Sequence, residues 1–88
     1  MNYIGKDKDN KKLQVGDICN FKIDNKDYEG IIIYDEESYA FAFEMQSDCF
    51  PMVLMSKADF GSISKIINVS ETKINDKYEF YRTIYNKM

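Results

Sequence analysis

Histidine is missing from this chain, and cysteine occurs only at Cys19 and Cys49, with no Cys-x-x-Cys spacing. A structural zinc ordinarily draws four ligands from these two residue types, so a single copy lacks the donors for one. The same shortage bears on catalysis. Without an imidazole, general acid or base work falls to carboxylates, and a nucleophilic cysteine has no usual partner to take its proton. Asp17, Glu29 and Glu44 could approach one another across neighbouring strands, but no spacing requires it. The chain is therefore expected not to be an enzyme, with no catalytic residue, metal ligand or cofactor site assigned.

Arginine is almost as scarce: Arg82 is the only one among 12 basic residues, and the formal charge is −3 with a pI of 4.8. Bidentate recognition of phosphate or guanine, which the guanidinium does best, is poorly supplied, and so is the cationic surplus that phosphate neutralisation needs. Nucleic acid is expected to be a poor partner. No apolar run approaches the roughly 18 residues of a membrane span, and the N-terminus has no basic segment leading into an apolar one. These absences suit a cytoplasmic protein without membrane contact, its cysteines reduced and packed as small hydrophobes.

What the chain does have is a globular mix of 44% hydrophobic and 31% charged residues over 88 positions, enough for one domain with a modest core. The organising stretch is YEGIIIYDEESYAFAFEM, residues 28–45. A β-branched run is followed by an acidic turn at Asp35, Glu36, Glu37 and Ser38, and then Tyr39, Phe41, Phe43 and Met45 recur at every second position. Period-two spacing puts these bulky side chains on one strand face, and two such runs across a short polar turn make a hairpin.

Strands are expected at 18–23, 28–34, 39–45, 49–55 and 62–69. Gly16 can take the positive φ that a tight entry to the first strand needs. In that strand Cys19, Phe21 and Ile23 form the inner face, opposite Ile18, Asn20 and Lys22. Three consecutive isoleucines, Ile31, Ile32 and Ile33, indicate a strand covered on both sides, and Gly30 before them marks a bulge or a close backbone approach. Pro51 suits a strand start or an edge. In the fifth strand Ile63, Ile67 and Val69 share a face.

Asp7, Asp9 and Asn10 open like a calcium loop, but Lys12 stands where that loop needs glycine and Ile18 where it needs a bidentate glutamate. A solvated hairpin is expected instead. In the tail, Ile74, Tyr78, Tyr81 and Tyr85 recur at helical spacing, so a helix is expected over about 75–87 with Asn75 or Asp76 as its N-cap. Five strands with short turns and a helix fit a mostly β, small SH3-like five-stranded antiparallel barrel, about residues 1–70, with a C-terminal α-helix. An OB-type barrel and an open antiparallel sheet backed by the helix are the other arrangements this order admits.

The segment IGKDKDNKKLQVGDICNF resembles the opening of the YopX protein family, small proteins of phages and prophages in Gram-positive bacteria. YEGIIIYDEESYAFAFEM is similar to that family's second and third strands, and FPMVLM to its fourth, so the likeness covers residues 4–55. After Phe60 the chain departs from the family pattern, reading IINVSETKIND before an aromatic tail. The resemblance implies a barrel and a phage setting in the host cytoplasm, and carries no catalytic residue.

With no catalytic apparatus, an acidic domain of this kind is expected to work by contact with a host protein, as an inhibitor or modulator of a defence factor. Phe80, Tyr81 and Tyr85 on the tail helix, with Glu36 and Glu37 on the hairpin turn, are the candidate contact residues. The blander assignments are a helix that caps the sheet and a solvated acidic turn. Self-assembly through the aromatic tail is one alternative. Nucleic-acid binding through the lysines of residues 6–12 and the surface tyrosines Tyr3, Tyr28, Tyr34 and Tyr39 is another.

Overall fold

The computed structural model describes residues 4–44, 50–73 and 75–87. Tyr3, Met45, Cys49 and Ile74, which enter the sequence-based expectations, lie outside the described residues. Five strands form one antiparallel sheet: β1 Asp17–Ile23, β2 Lys26–Asp35, β3 Ser38–Ala42, β4 Met52–Leu54 and β5 Asp59–Asn68. Their order across the sheet is β4-β3-β2-β1-β5. A 3-10 turn, Met55–Lys57, leads from β4 at one edge towards β5 at the other, and a short helix, α1 Glu79–Asn86, follows β5.

The sheet is not closed into a barrel, contrary to the expectation. Among the described residues β4 and β5 are not paired with each other. The reason is visible in β4, only three residues long. Too little edge is left there for a closing ladder.

The isoleucine run places a core on each side of the sheet. Ile31 and Ile33 join Ile18, Ala40, Ala42 and Val69 in a cluster with Tyr78, Tyr81 and Ile84 of the tail. Ile32 points the other way, into a cluster with Cys19, Phe21, Phe41, Leu13, Met55 and Ile63. Alternation along a fully buried strand dictates this split. It also corrects the assignment of Ile18 to an outer face: that face lies under the helix, and Ile18 is fully buried.

β5 departs from simple alternation. Its register against β1 shifts between Ile18 and Cys19, where Ile67 and Lys65 are the successive partners. The extra residue reverses the parity as far as a second irregularity between Asn20 and Lys22. Ile63 therefore joins the Phe21 cluster while Ile67 and Val69 lie with the helix, not on one face as alternation alone implied.

Gly16 and Gly30 each occupy a position only glycine suits. Gly16 has φ +95°, donates to the Ile32 carbonyl and accepts from the Val69 amide, so it knits the entry of β1 to β2 and to the end of β5. Gly30 pairs with Cys19 in an unbroken register, so it is no bulge in that ladder. It is a close approach: a Cβ there would stand 2.9 Å from the Ala42 carbonyl oxygen and 3.4 Å from the Phe21 ring. The Phe21 and Phe41 rings stack with centroids 3.8 Å apart. Gly30→Ala is expected to cost about 1–3 kcal/mol through overpacking, read as a lower midpoint in urea denaturation.

Candidate functional site

The aromatic tail folds into the core more deeply than its spacing suggested. The helix is shorter than expected, and its buried stripe is Tyr81 and Ile84 instead of Tyr81 and Tyr85. Asp76 accepts from the Tyr78 amide at 3.1 Å, and Tyr78 occupies the N-cap position. Arg82 reaches back to the carbonyl and hydroxyl of Thr72, and to Glu79 at 3.2 Å, fixing the helix against the segment before it.

Tyr81 is 2% exposed, which corrects its assignment as a contact residue. Its phenol donates to Glu29 Oε1 at 3.2 Å, and burial, with the Glu29 carboxylate beside it, pushes its pKa well above the ordinary value. Phe80 lies half-buried against the same cluster, its ring centroid 4.2 Å from that of Tyr81. Tyr85 is exposed. Glu36 and Glu37 sit exposed on the turn between β2 and β3, Glu36 in the left-handed region at φ +56°.

Two buried carboxylates, Asp17 and Asp7, organise the fold. Asp17 is fully buried and receives hydrogen bonds from the Gln14 amide at 2.9 Å and the Asn68 side chain at 2.8 Å, with Lys65 Nζ at 3.3 Å. It opposes β5, whereas Glu29 lies by Tyr81, so the two do not share a site. Asp7 accepts from the amides of Asp9 and Lys11, which close its own turn, and from the Lys65 amide at 2.9 Å, which fastens that turn to β5. Burial opposes its charge, but these three amides prevail and hold the carboxyl below its ordinary range. The segment is thus a docked loop with Lys6, Lys8, Lys11 and Lys12 exposed around it.

Cys19 is buried, and burial together with the neighbouring Asp17 carboxylate pushes its thiol up to about 12. It stays protonated at neutral pH, and the thiolate is the nucleophilic form. Among the described residues, no three carboxylate or thiol groups converge as metal ligands. No helix among them is long and apolar enough to cross a membrane.

Among the described residues a concave surface is open. A groove of about 280 Å³ is lined by Ile4, Tyr39, Leu54, Met55 and Phe60, with Ser38 and Ser56. Leu54 and Phe60 are 46% and 41% exposed, and Tyr34, packed edge-on to Tyr39 at 5.0 Å, extends the apolar area. Asp35, Glu36 and Glu37 lead directly into Ser38, and Asp59 precedes Phe60, against Lys57 beside Ser56 and Lys6 near Ile4. The chain neighbours of the lining residues are thus net acidic. Sequence patterning identified the acidic turn but missed Ile4, Leu54 and Phe60, because only the return of β5 to the sheet brings residues so distant in the chain together. Exposed apolar residues clustered around a concavity are the usual mark of a contact site.

Compared with protein-family models, with curated proteins and with solved structures, the chain matches none.

Proposed function

We propose that this chain is a non-catalytic, phage-type binding module that inhibits or redirects a host protein, and that it holds that protein at the groove of Tyr39, Leu54 and Phe60. The observation that carries this is an apolar groove lined at one point by Ser38, the residue that follows the acidic turn of Asp35, Glu36 and Glu37. An apolar side chain of the partner fills the groove, and a cationic surface beside it meets the turn. Such an arrangement concentrates affinity in a few aromatic and aliphatic contacts and uses charge to select the partner. The likeness of residues 4–55 to the YopX family supplies the phage setting. The last strand lying beside the first, after a 3-10 turn, supports reading the domain as an SH3-like sheet left unclosed.

The test is reconstitution. A partner captured from host extract and then purified should bind the wild-type protein at least tenfold more tightly than a Phe60→Ser, Glu36→Lys, Glu37→Lys variant. All three positions are exposed, so the variant keeps its fold. Undiminished affinity in that variant sinks the assignment, as does a partner whose binding is lost only on Tyr85→Ala.

A further inference from the structure

The edge of the sheet beside the groove shows how a partner is held. In β4, Met52 opposes Ala42, Val53 opposes Phe41 and Leu54 opposes Ala40. The Phe43 amide donates to the Pro51 carbonyl at 2.9 Å, which makes 43 and 51 a hydrogen-bonded pair. Antiparallel ladders alternate, so 41 and 53 are bonded to each other, whereas the N–H and C=O groups of Met52 and Leu54 point away from β3. The Leu54 carbonyl is used by the 3-10 turn that it caps. Three backbone groups remain on the open edge: the N–H and C=O of Met52 and the N–H of Leu54. Among the described residues no strand pairs with that side of β4.

Resting on the binding-module reading, we propose that the partner segment is an extended strand added to β4. Its backbone bonds to Met52 and Leu54, as in other cases of strand addition to a sheet edge. The register also gives its chemistry. Partner residues opposite Met52 and Leu54 share their face, where both side chains are about half exposed and apolar, so an aliphatic residue is called for at i and i+2. The acidic turn lies past the Leu54 end of β4, because Leu54 opposes Ala40 and Ser38 comes two residues earlier. The partner strand therefore carries lysine or arginine at the end that runs beyond Leu54.

The backbone of Leu54 makes the idea directly testable. Its φ is −60°, already the angle that proline imposes. Leu54→Pro thus removes the outward N–H without distorting the strand, and Leu54→Ala is the control that loses the same side chain but keeps the N–H. The probe is fluorescein-labelled Thr-Val-Thr-Val-Thr-Lys-Lys-Lys and its reversed sequence, read by polarisation. One orientation is expected to bind, with Leu54→Pro weaker than Leu54→Ala by about fivefold, the worth of one hydrogen bond. N-methylation of one alternate set of valine and threonine amides should abolish binding, and methylation of the other set should not.

Equal affinity for the two Leu54 variants, or equal loss from both methylated sets, overturns strand addition. If Phe60→Ser still weakens the probe in that event, the groove assignment survives alone. Failure of both peptides to bind at millimolar concentration overturns the proposed strand chemistry. A wild-type dimer in sedimentation that Leu54→Pro dissociates gives the edge to a second copy and overturns the proposal of a separate partner.

Discussion

Tyr81→Ala is expected to destabilise the protein by about 4 kcal/mol, in the range for deleting a large buried aromatic side chain, and to lower Tm by on the order of 20 °C for a domain of this size. The ring is 2% exposed and sits in the cluster that joins the helix to Ile18, Ile31 and Ile33. Its loss leaves a void in the middle of that layer, whereas Tyr85→Ala, at a position 38% exposed, should lower Tm far less. Any loss of partner binding in Tyr81→Ala would thus report unfolding and not contact.

Tyr81→Phe separates packing from polarity. It keeps the ring but removes the bond to Glu29, and the expected cost is about 1 kcal/mol. It also predicts a pH effect. Burial first, and the Glu29 carboxylate second, raise the folded-state pKa of Tyr81. In the unfolded chain the phenol ionises near pH ~10. Above that pH the unfolded state has lost a proton that the folded state retains, so stability falls as pH rises through the alkaline range. Urea midpoints measured between neutral pH and pH ~11 should decline less steeply in Tyr81→Phe than in the wild type. Parallel slopes would show that Tyr81 does not contribute to the alkaline limit.

The second large effect belongs to Asp17. Its carboxylate is fully buried and gathers the Gln14 amide, the Asn68 side chain and the Lys65 ammonium at one point between β1 and β5. Asp17→Ala removes an acceptor from all three groups, and one-sided removal of a buried ion pair costs about 3–5 kcal/mol. Lys65 keeps partial access to water, with 23% of its side chain exposed, which places the expected loss toward the lower end. Adding Lys65→Met should recover part of it, since an apolar side chain has no charge to desolvate. A double variant no more stable than Asp17→Ala alone would show that the amide and Asn68 bonds carry the effect.

Much of this fold is legible from side-chain alternation. Cys19 and Phe21 fall on one face, the three isoleucines divide between two cores, and Tyr39 and Phe41 of β3, with Phe43 just past its end, join one cluster, as period two requires. Alternation fails where a residue is inserted. The shift at Ile18 and Cys19 moves Ile67 and Val69 to the helix side, and no residue type near 66 announces it.

Helical period alone does not separate tyrosine at 85 from isoleucine at 84, and the helix buries Ile84. The choice between them depends on what the helix meets. Ala40 and Ala42 held the missing clue: small apolar residues between the aromatics of β3 make the second face of that strand apolar too, as a covering helix requires. The groove could not be read from local pattern at all, since Ile4, Tyr39, Leu54 and Phe60 come from four separate stretches of chain.

The position of β1 has a consequence for how the molecule is made. Its bond partners lie both in the next strand and 51 residues downstream at Asn68. The helix that roofs Ile18, Ile31 and Ile33 comes later still, with Ile84 near its end. During synthesis the first hairpin therefore emerges with an oily face and an unmatched edge, and neither is satisfied until the residues of β5 and α1, up to Ile84, have also left the ribosome. A nascent chain stalled before that point leaves both an apolar face and a free strand edge uncovered, the two features by which partly made sheets clump.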